Sequence, residues 1–208
     1  MKTTSSSHKY FQSMLATLAI AILCGVSAPS AQAGYIVTLQ EVGPNVVATG
    51  TGAFDLTGLA LEFTNDPSAG AQISPSTAQM VMGSTSVDVP VDDYQGLVGP
   101  LNFGVGPRTN ATSGSGDHVI LDRLFNDLSV PTGYVSGNPL FSISTYDGAT
   151  LSSLGVTPGT YVWAWGTGAN QNFTLIAAVP DLGSTFGLLF VSLVALVGAH
   201  RFRGRQLA

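Results

Sequence analysis

One short stretch contains the residue types of a hydrolytic triad. His118 directly follows Asp117 and lies five residues after Ser113, and it is the single histidine between Gly34 and Val179. A serine hydrolase needs a histidine that contacts both a serine hydroxyl and a carboxylate. Neighbouring residues of a strand point to opposite faces, so Asp117 and His118 cannot pair in this way if the segment is extended. We therefore predict an ordinary surface histidine at the start of a strand, and a secreted hydrolase is only the third interpretation.

Metal-binding chemistry has few candidate ligands. The chain has one cysteine, Cys24, and no cluster of histidine and cysteine that would hold zinc. Asp88, Asp92 and Asp93 carry the oxygen ligands that calcium prefers, but their spacing is not that of an EF-hand loop. We predict a solvated acidic loop at these positions, and neither a metal nor a cofactor.

A row of aromatic residues is the most suggestive binding feature. In an extended strand, Tyr161, Trp163 and Trp165 fall on one face, and Val162 and Ala164 fall on the other. An exposed row would stack on sugar rings, whereas a buried row would form the heaviest part of the core. Because the opposite face is small and apolar as well, core packing is the favoured prediction. A glycan-binding adhesin that uses these three side chains stays open as the alternative.

The charge of the central region excludes one class of partner. Residues 34–178 contain two basic residues, Arg108 and Arg123, and eleven acidic residues, which gives a formal charge of −9. Such a surface repels phosphate backbones, so nucleic-acid binding is excluded. The glycine-rich segment 111–118 lacks the lysine of a phosphate-binding loop, and we predict a flexible connector there.

The same region has the pattern of an all-β protein. Short β-branched and aromatic runs alternate with Gly, Pro and Asn, and Gly43-Pro44-Asn45 predicts a hairpin turn. Short helical turns are expected at 123–128 and 150–154. The spacing favours a small antiparallel β-sandwich, jelly-roll-like or Ig-like. The predicted strands are 35–42, 46–56, 59–63, 78–83, 118–122, 140–145, 160–166 and 172–179.

The N-terminus has the three parts of a signal peptide. Lys2 and Lys9 precede an apolar run at 14–26, and Ala31 and Ala33 form an Ala-x-Ala cleavage site. The run is too short to span a bilayer comfortably. We predict cleavage after Ala33, which would remove the only cysteine.

The C-terminus has the pattern of a membrane span with a stop-transfer signal. Residues 186–199 carry no charge and would form a helix of about 21 Å, short but usable as a span. Basic residues beside a span stay on the cytoplasmic side, so the N-terminus is predicted outside and the C-terminus inside. The stop-transfer residues are Arg201, Arg203 and Arg205.

A polar heptad, "VPDLGST", comes directly before this span. Heptad, span and basic end together resemble the sorting signals of PEP-CTERM proteins, and the heptad is closest to the VPDSG-CTERM type. Residues 145–180 are similar to the membrane-proximal module common in such proteins. Leu182 departs from the serine that is usual in the motif. The matching residues are Val179, Pro180, Asp181, Gly183, Ser184 and Thr185.

The resemblance implies an exported protein that an exosortase processes at the motif. It implies transient anchoring in the inner membrane, a final place in the envelope or extracellular matrix, exopolysaccharide as a further partner, and no catalytic activity. The expected organisation is a signal peptide at 1–33, a β-rich domain at 34–178 and a sorting signal at 179–208, with the motif at 179–185 and the basic end at 200–208. A structural or matrix protein is therefore the leading hypothesis.

Overall fold

The computed structural model describes residues 34–178, which form thirteen strands and one short 3-10 helix. The predicted signal peptide, sorting motif, membrane span and basic end lie outside the described residues. None of the helical structure within 34–178 is long and apolar enough to cross a membrane. The elements are β1 (Tyr35–Val42), β2 (Asn45–Gly52), β3 (Ala60–Ser68), β4 (Gln72–Ser74), the 3-10 helix (Pro75–Thr77), β5 (Gln79–Met82), β6 (Val89–Gln95), β7 (Thr109–Asn110), β8 (Ser113–Gly116), β9 (Val119–Asp122), β10 (Asp127–Pro131), β11 (Leu140–Tyr146), β12 (Gly159–Ala164) and β13 (Asn172–Ala178).

The first and last strands lie side by side in a six-stranded sheet of order β12-β13-β1-β2-β11-β8. The β1–β2 hairpin turns at Gly43, whose φ of 60° suits the first central position of a type II′ turn. β1 and β13 run parallel, with Tyr35 opposite Phe173, while the other neighbours in this sheet are antiparallel. The predicted antiparallel sandwich therefore has one parallel pair of strands. The two strands are far apart in sequence, so no hairpin geometry forces them to be antiparallel.

The second sheet has seven strands in the order β3-β6-β10-β9-β5-β4-β7, all antiparallel. Its edge strand β3 is irregular, because the register with β6 shifts on both sides of Phe63. Such bulges bend a strand and increase its twist. Residues 66–68 of this strand line a cavity on the outer face of the sheet.

The hydrophobic core takes alternate residues from strands of both sheets. Val37 and Leu175, which belong to the six-stranded sheet, are completely buried. Met80 and Leu121, which belong to the seven-stranded sheet, are completely buried as well. All four belong to one buried cluster. The described region is therefore an all-β, sandwich-like domain, and this part of the prediction is confirmed.

Several local predictions are wrong. Segment 111–118 is not a connector, because Ser113–Gly116 forms the edge strand β8 and pairs with β11. Segment 123–128 is not helical, because residues 123–126 turn the chain between β9 and β10. At 150–154 the amide of Leu154 donates to the carbonyl of Thr150 at 3.0 Å, which is one helical turn as expected. The chain also contains strands that the pattern did not predict: β4, β6, β7, β8 and β10.

Candidate functional site

The structure does not assemble the Ser-His-Asp arrangement. His118 is 4 % exposed, so the prediction of a surface histidine is wrong. Its Nδ1 lies 3.0 Å from the hydroxyl of Ser68, and burial lowers the pKa of the imidazole. The Asp117 carboxylate instead accepts a hydrogen bond from the Phe141 amide at 2.8 Å. Ser113 is exposed on β8. Ser68 and His118 are both buried, at 6 % and 4 % exposed.

The aromatic row belongs to the core. Trp163 is completely buried, and its indole N–H donates to the Pro100 carbonyl at 2.8 Å. Trp165 is half-buried and donates to the Asp55 carbonyl at 2.8 Å, and the Tyr161 hydroxyl donates to the Thr157 carbonyl at 2.9 Å. The hypothesis that all three rings stack on a glycan is therefore wrong for Trp163. The outward face of β12 carries Val162 instead, which is 47 % exposed.

Two of the three aspartates of the predicted acidic loop, Asp92 and Asp93, lie in strand β6. Asp92 is buried and accepts hydrogen bonds from the amides of Asn65 at 3.2 Å and Gly133 at 2.8 Å. Asp93 is also buried but faces the other side of the sheet, as alternation in a strand requires. Asp88 is exposed in the turn before β6, with a φ of 58°. The three carboxylates do not converge, and residues 34–178 contain no group of three metal-ligating side chains in suitable positions.

A groove on the outer face of the seven-stranded sheet is the strongest candidate site. Ser129 lies opposite Asp93 on one side and Ile120 on the other, so the three side chains share this face. Asp127 lies opposite Asp122 in the same way. The cavity measures about 230 Å³. Its principal lining residues are Asp66, Gln72, Gln79, Val81, Val91, Asp93, Ile120, Asp122, Phe125, Asp127 and Ser129.

The electrostatics of the groove are unfavourable for the isolated protein. Burial, together with the charges of Glu62, Asp93 and Asp122, raises the pKa of Asp127 from 3.8 to about 6. The pKa of Asp93 is raised as well, chiefly by burial, with Asp66 and Glu62 contributing. Like charges placed directly opposite each other on neighbouring strands destabilise a sheet. The groove therefore concentrates negative charge that is only partly compensated within the protein.

Sequence reasoning missed this site because part of its lining comes from strands that were not predicted. Asp127 and Ser129 lie on β10, and Asp93 lies on β6. A signal was nevertheless present in 127–131, where Asp127 and Ser129 alternate with the apolar Leu128 and Val130. Period-two alternation is typical of a half-buried strand. The grouping of the carboxylates becomes visible only when the order of the strands is known.

Comparison with known proteins finds no matching family model, no matching curated protein and no matching solved structure.

Proposed function

We propose that the protein is an exported, non-enzymatic envelope or matrix protein that an exosortase sorts and processes. The observation that carries the proposal is the C-terminal pattern: the heptad at 179–185, the uncharged run at 186–199, and Arg201, Arg203 and Arg205. A signal peptide that ends at Ala33 supplies the export step. The exosortase is then the processing partner, and the inner membrane holds the protein only before processing.

The described domain is compatible with removal of the tail. The described part of the last strand, β13, reaches Ala178, which pairs with Gln40 of β1. Its core residues Phe173, Leu175 and Ala177 are buried before the motif begins. A cut within 179–185 would therefore leave every residue that the structure describes in β13 and in the core in place. This supports a folded domain that is released or retained as a unit.

The finer architecture is part of the same proposal. The two sheets form a jelly-roll-like or Ig-like sandwich, and residues 186–199 form a single transmembrane helix with the basic end in the cytoplasm. Between the predicted leader and the tail, residues 34–178 contain one histidine, His118, and no cysteine. His118 is buried. This supports a structural role over a hydrolytic one.

The motif is tested by substitution in the native host. Pro180 restricts the backbone to an extended form and Asp181 supplies a charge, so we expect Pro180→Ala with Asp181→Ala to block processing and to retain the tail. Leu182→Ser, which restores the residue usual in the motif, is the matched control and should be processed. Intact mass reports the outcome. Equal processing of the double variant and the wild type would contradict a role for the motif.

A further inference from the structure

The outer face of the six-stranded sheet carries no charge. In β1, β2, β11 and β13, alternate residues are buried in the core, so the residues between them point away from it. The pairing register places these outward residues in rows that cross the sheet, and among the described residues of the rows none is ionisable. We call this surface the neutral face. Its three rows are Val162-Thr174-Ile36-Thr51-Phe141, Thr160-Ile176-Thr38-Thr49-Ile143-Ser115 and Ala178-Gln40-Val47-Thr145-Ser113.

The neutral face mixes apolar and hydroxyl side chains. Phe141 and Val162, at opposite ends of one row, are 50 % and 47 % exposed. Val98 pairs with Ala164 at the edge of β12, extends the face and is exposed as well. Hydroxyl and amide side chains both donate and accept hydrogen bonds, so a surface of this kind can pair with an identical one. A shallow depression of about 180 Å³ lies in the face and is lined by Thr38, Gln40, Val42, Val47 and Thr49.

The charged side chains of the described domain lie away from the neutral face. Within the strands of this sheet, Glu41 is the one charged residue of the described part, and alternation directs it to the core side. Its carboxylate accepts a hydrogen bond from the Leu151 amide at 2.8 Å. Residues 34–178 have a formal charge of −9, so two copies repel each other over most of their surface. At the neutral face, two copies meet without placing like charges opposite each other.

The neutral face is large enough for a modest dimer interface. Six strands at about 4.8 Å spacing give a width of roughly 24 Å, and about six residues at about 3.3 Å each give a length of roughly 20 Å. Two such faces together cover about 1,000 Å², which is near the lower limit for a specific interface. Identical sheets have the same twist, so they can pack face to face with their strands about 30° apart.

We propose that two copies of the protein associate through their neutral faces. A two-fold axis places the same residues of both copies in contact. Thr38 and Thr49 are directly opposite each other on β1 and β2, in the middle row, and lie nearest to this axis. The apolar members of the rows pack against one another, and the hydroxyls pair across the interface. The association does not depend on exosortase processing, so either proposal can fail without the other.

Sedimentation equilibrium of the full chain in density-matched detergent micelles tests the proposal. We expect the wild type to form a dimer with a dissociation constant in the micromolar range, about 10 µM. Thr49→Glu and Thr49→Lys each place two like charges near the axis, so each variant alone should lose about tenfold or more in association. An equimolar mixture of the two variants pairs opposite charges and should recover to within about threefold of the wild type.

The control variant is Thr64→Glu, on the exposed edge strand β3 of the other sheet, and should stay within about twofold of the wild type. Recovery on mixing cannot come from a misfolded chain, so it separates repulsion from damage to the fold. A wild type that stays monomeric up to about 100 µM would overturn the proposal without any variant and would leave the face to another partner. A dimer that Thr49→Glu does not weaken would overturn it as well, because the copies would then be held by another surface or by the predicted span.

Discussion

Asp127→Asn should stabilise the protein at neutral pH. A carboxyl group whose pKa is raised from 3.8 to about 6 prefers to be protonated in the folded state, so its ionisation at neutral pH opposes folding. A shift of this size corresponds to at most about 3 kcal/mol, and solvent screening at this partly exposed residue reduces the expected effect to about 1 kcal/mol. For a chain of this length, that equals roughly 2–4 °C in Tm.

The pH dependence of the stability gain in Asp127→Asn distinguishes electrostatic repulsion from other causes of that gain. Because the folded-state pKa of Asp127 is raised, its contribution to stability is present below about pH 4 and is lost as the pH rises through about 6. The variant should therefore match the wild type at about pH 4 and exceed it by about 1 kcal/mol at about pH 7.

Urea unfolding of the full chain in detergent, followed by tryptophan fluorescence, measures this difference, since both tryptophans lie in the described domain. Asp147→Asn, in an exposed turn, is the control and should change little at either pH. An Asp127→Asn variant that is less stable than the wild type at neutral pH would refute the reasoning. A gain of the same size at both pH values would also refute it, because the repulsion should vanish when the groove is protonated.

Two further predictions concern the core and the buried histidine. Trp163→Ala should lower the free energy of unfolding by about 3–5 kcal/mol, because it empties the centre of the core, whereas Val162→Ala on the outer face of the same strand should cost less than about 1 kcal/mol. Equal losses of stability in the two variants, measured by thermal unfolding, would contradict the burial of Trp163 in the core. Burial lowers the pKa of His118, so its contribution to stability is present above about pH 6.5 and is lost as the pH falls towards the folded-state value. Stability measured from about pH 7 to 5 should thus fall less steeply in His118→Gln than in the wild type, and identical slopes would exclude an effect of protonation.

The parts of the fold that the sequence predicts are those fixed by local chemistry. Gly43 and Pro44 mark the β1–β2 hairpin because glycine tolerates the positive φ that the turn needs. Leu39 lies between the polar residues Thr38 and Gln40, so the buried face of this part of β1 can be read from the sequence. The sequence also predicts that the aromatic row of Tyr161, Trp163 and Trp165 packs into the core, and Trp163 is completely buried there.

The parts that escaped prediction depend on contacts between distant segments. Asp92 and Asp93 looked like a solvated loop, because paired aspartates are uncommon inside strands. Asp92 is accommodated by amides from two other segments, and Asp93 by the face it shares with Ser129. Likewise, the buried His118 contacts Ser68, which lies fifty residues away in sequence. No local pattern contains that information.

The measurement that tests sorting most directly is the intact mass of the protein recovered from its native host, with and without the resident exosortase gene. The account predicts that the chain ends within or just before 179–185 when the gene is present, and keeps Arg201, Arg203 and Arg205 when it is absent. A chain that retains this basic end in both strains would contradict sorting and would leave a protein that keeps its C-terminal segment.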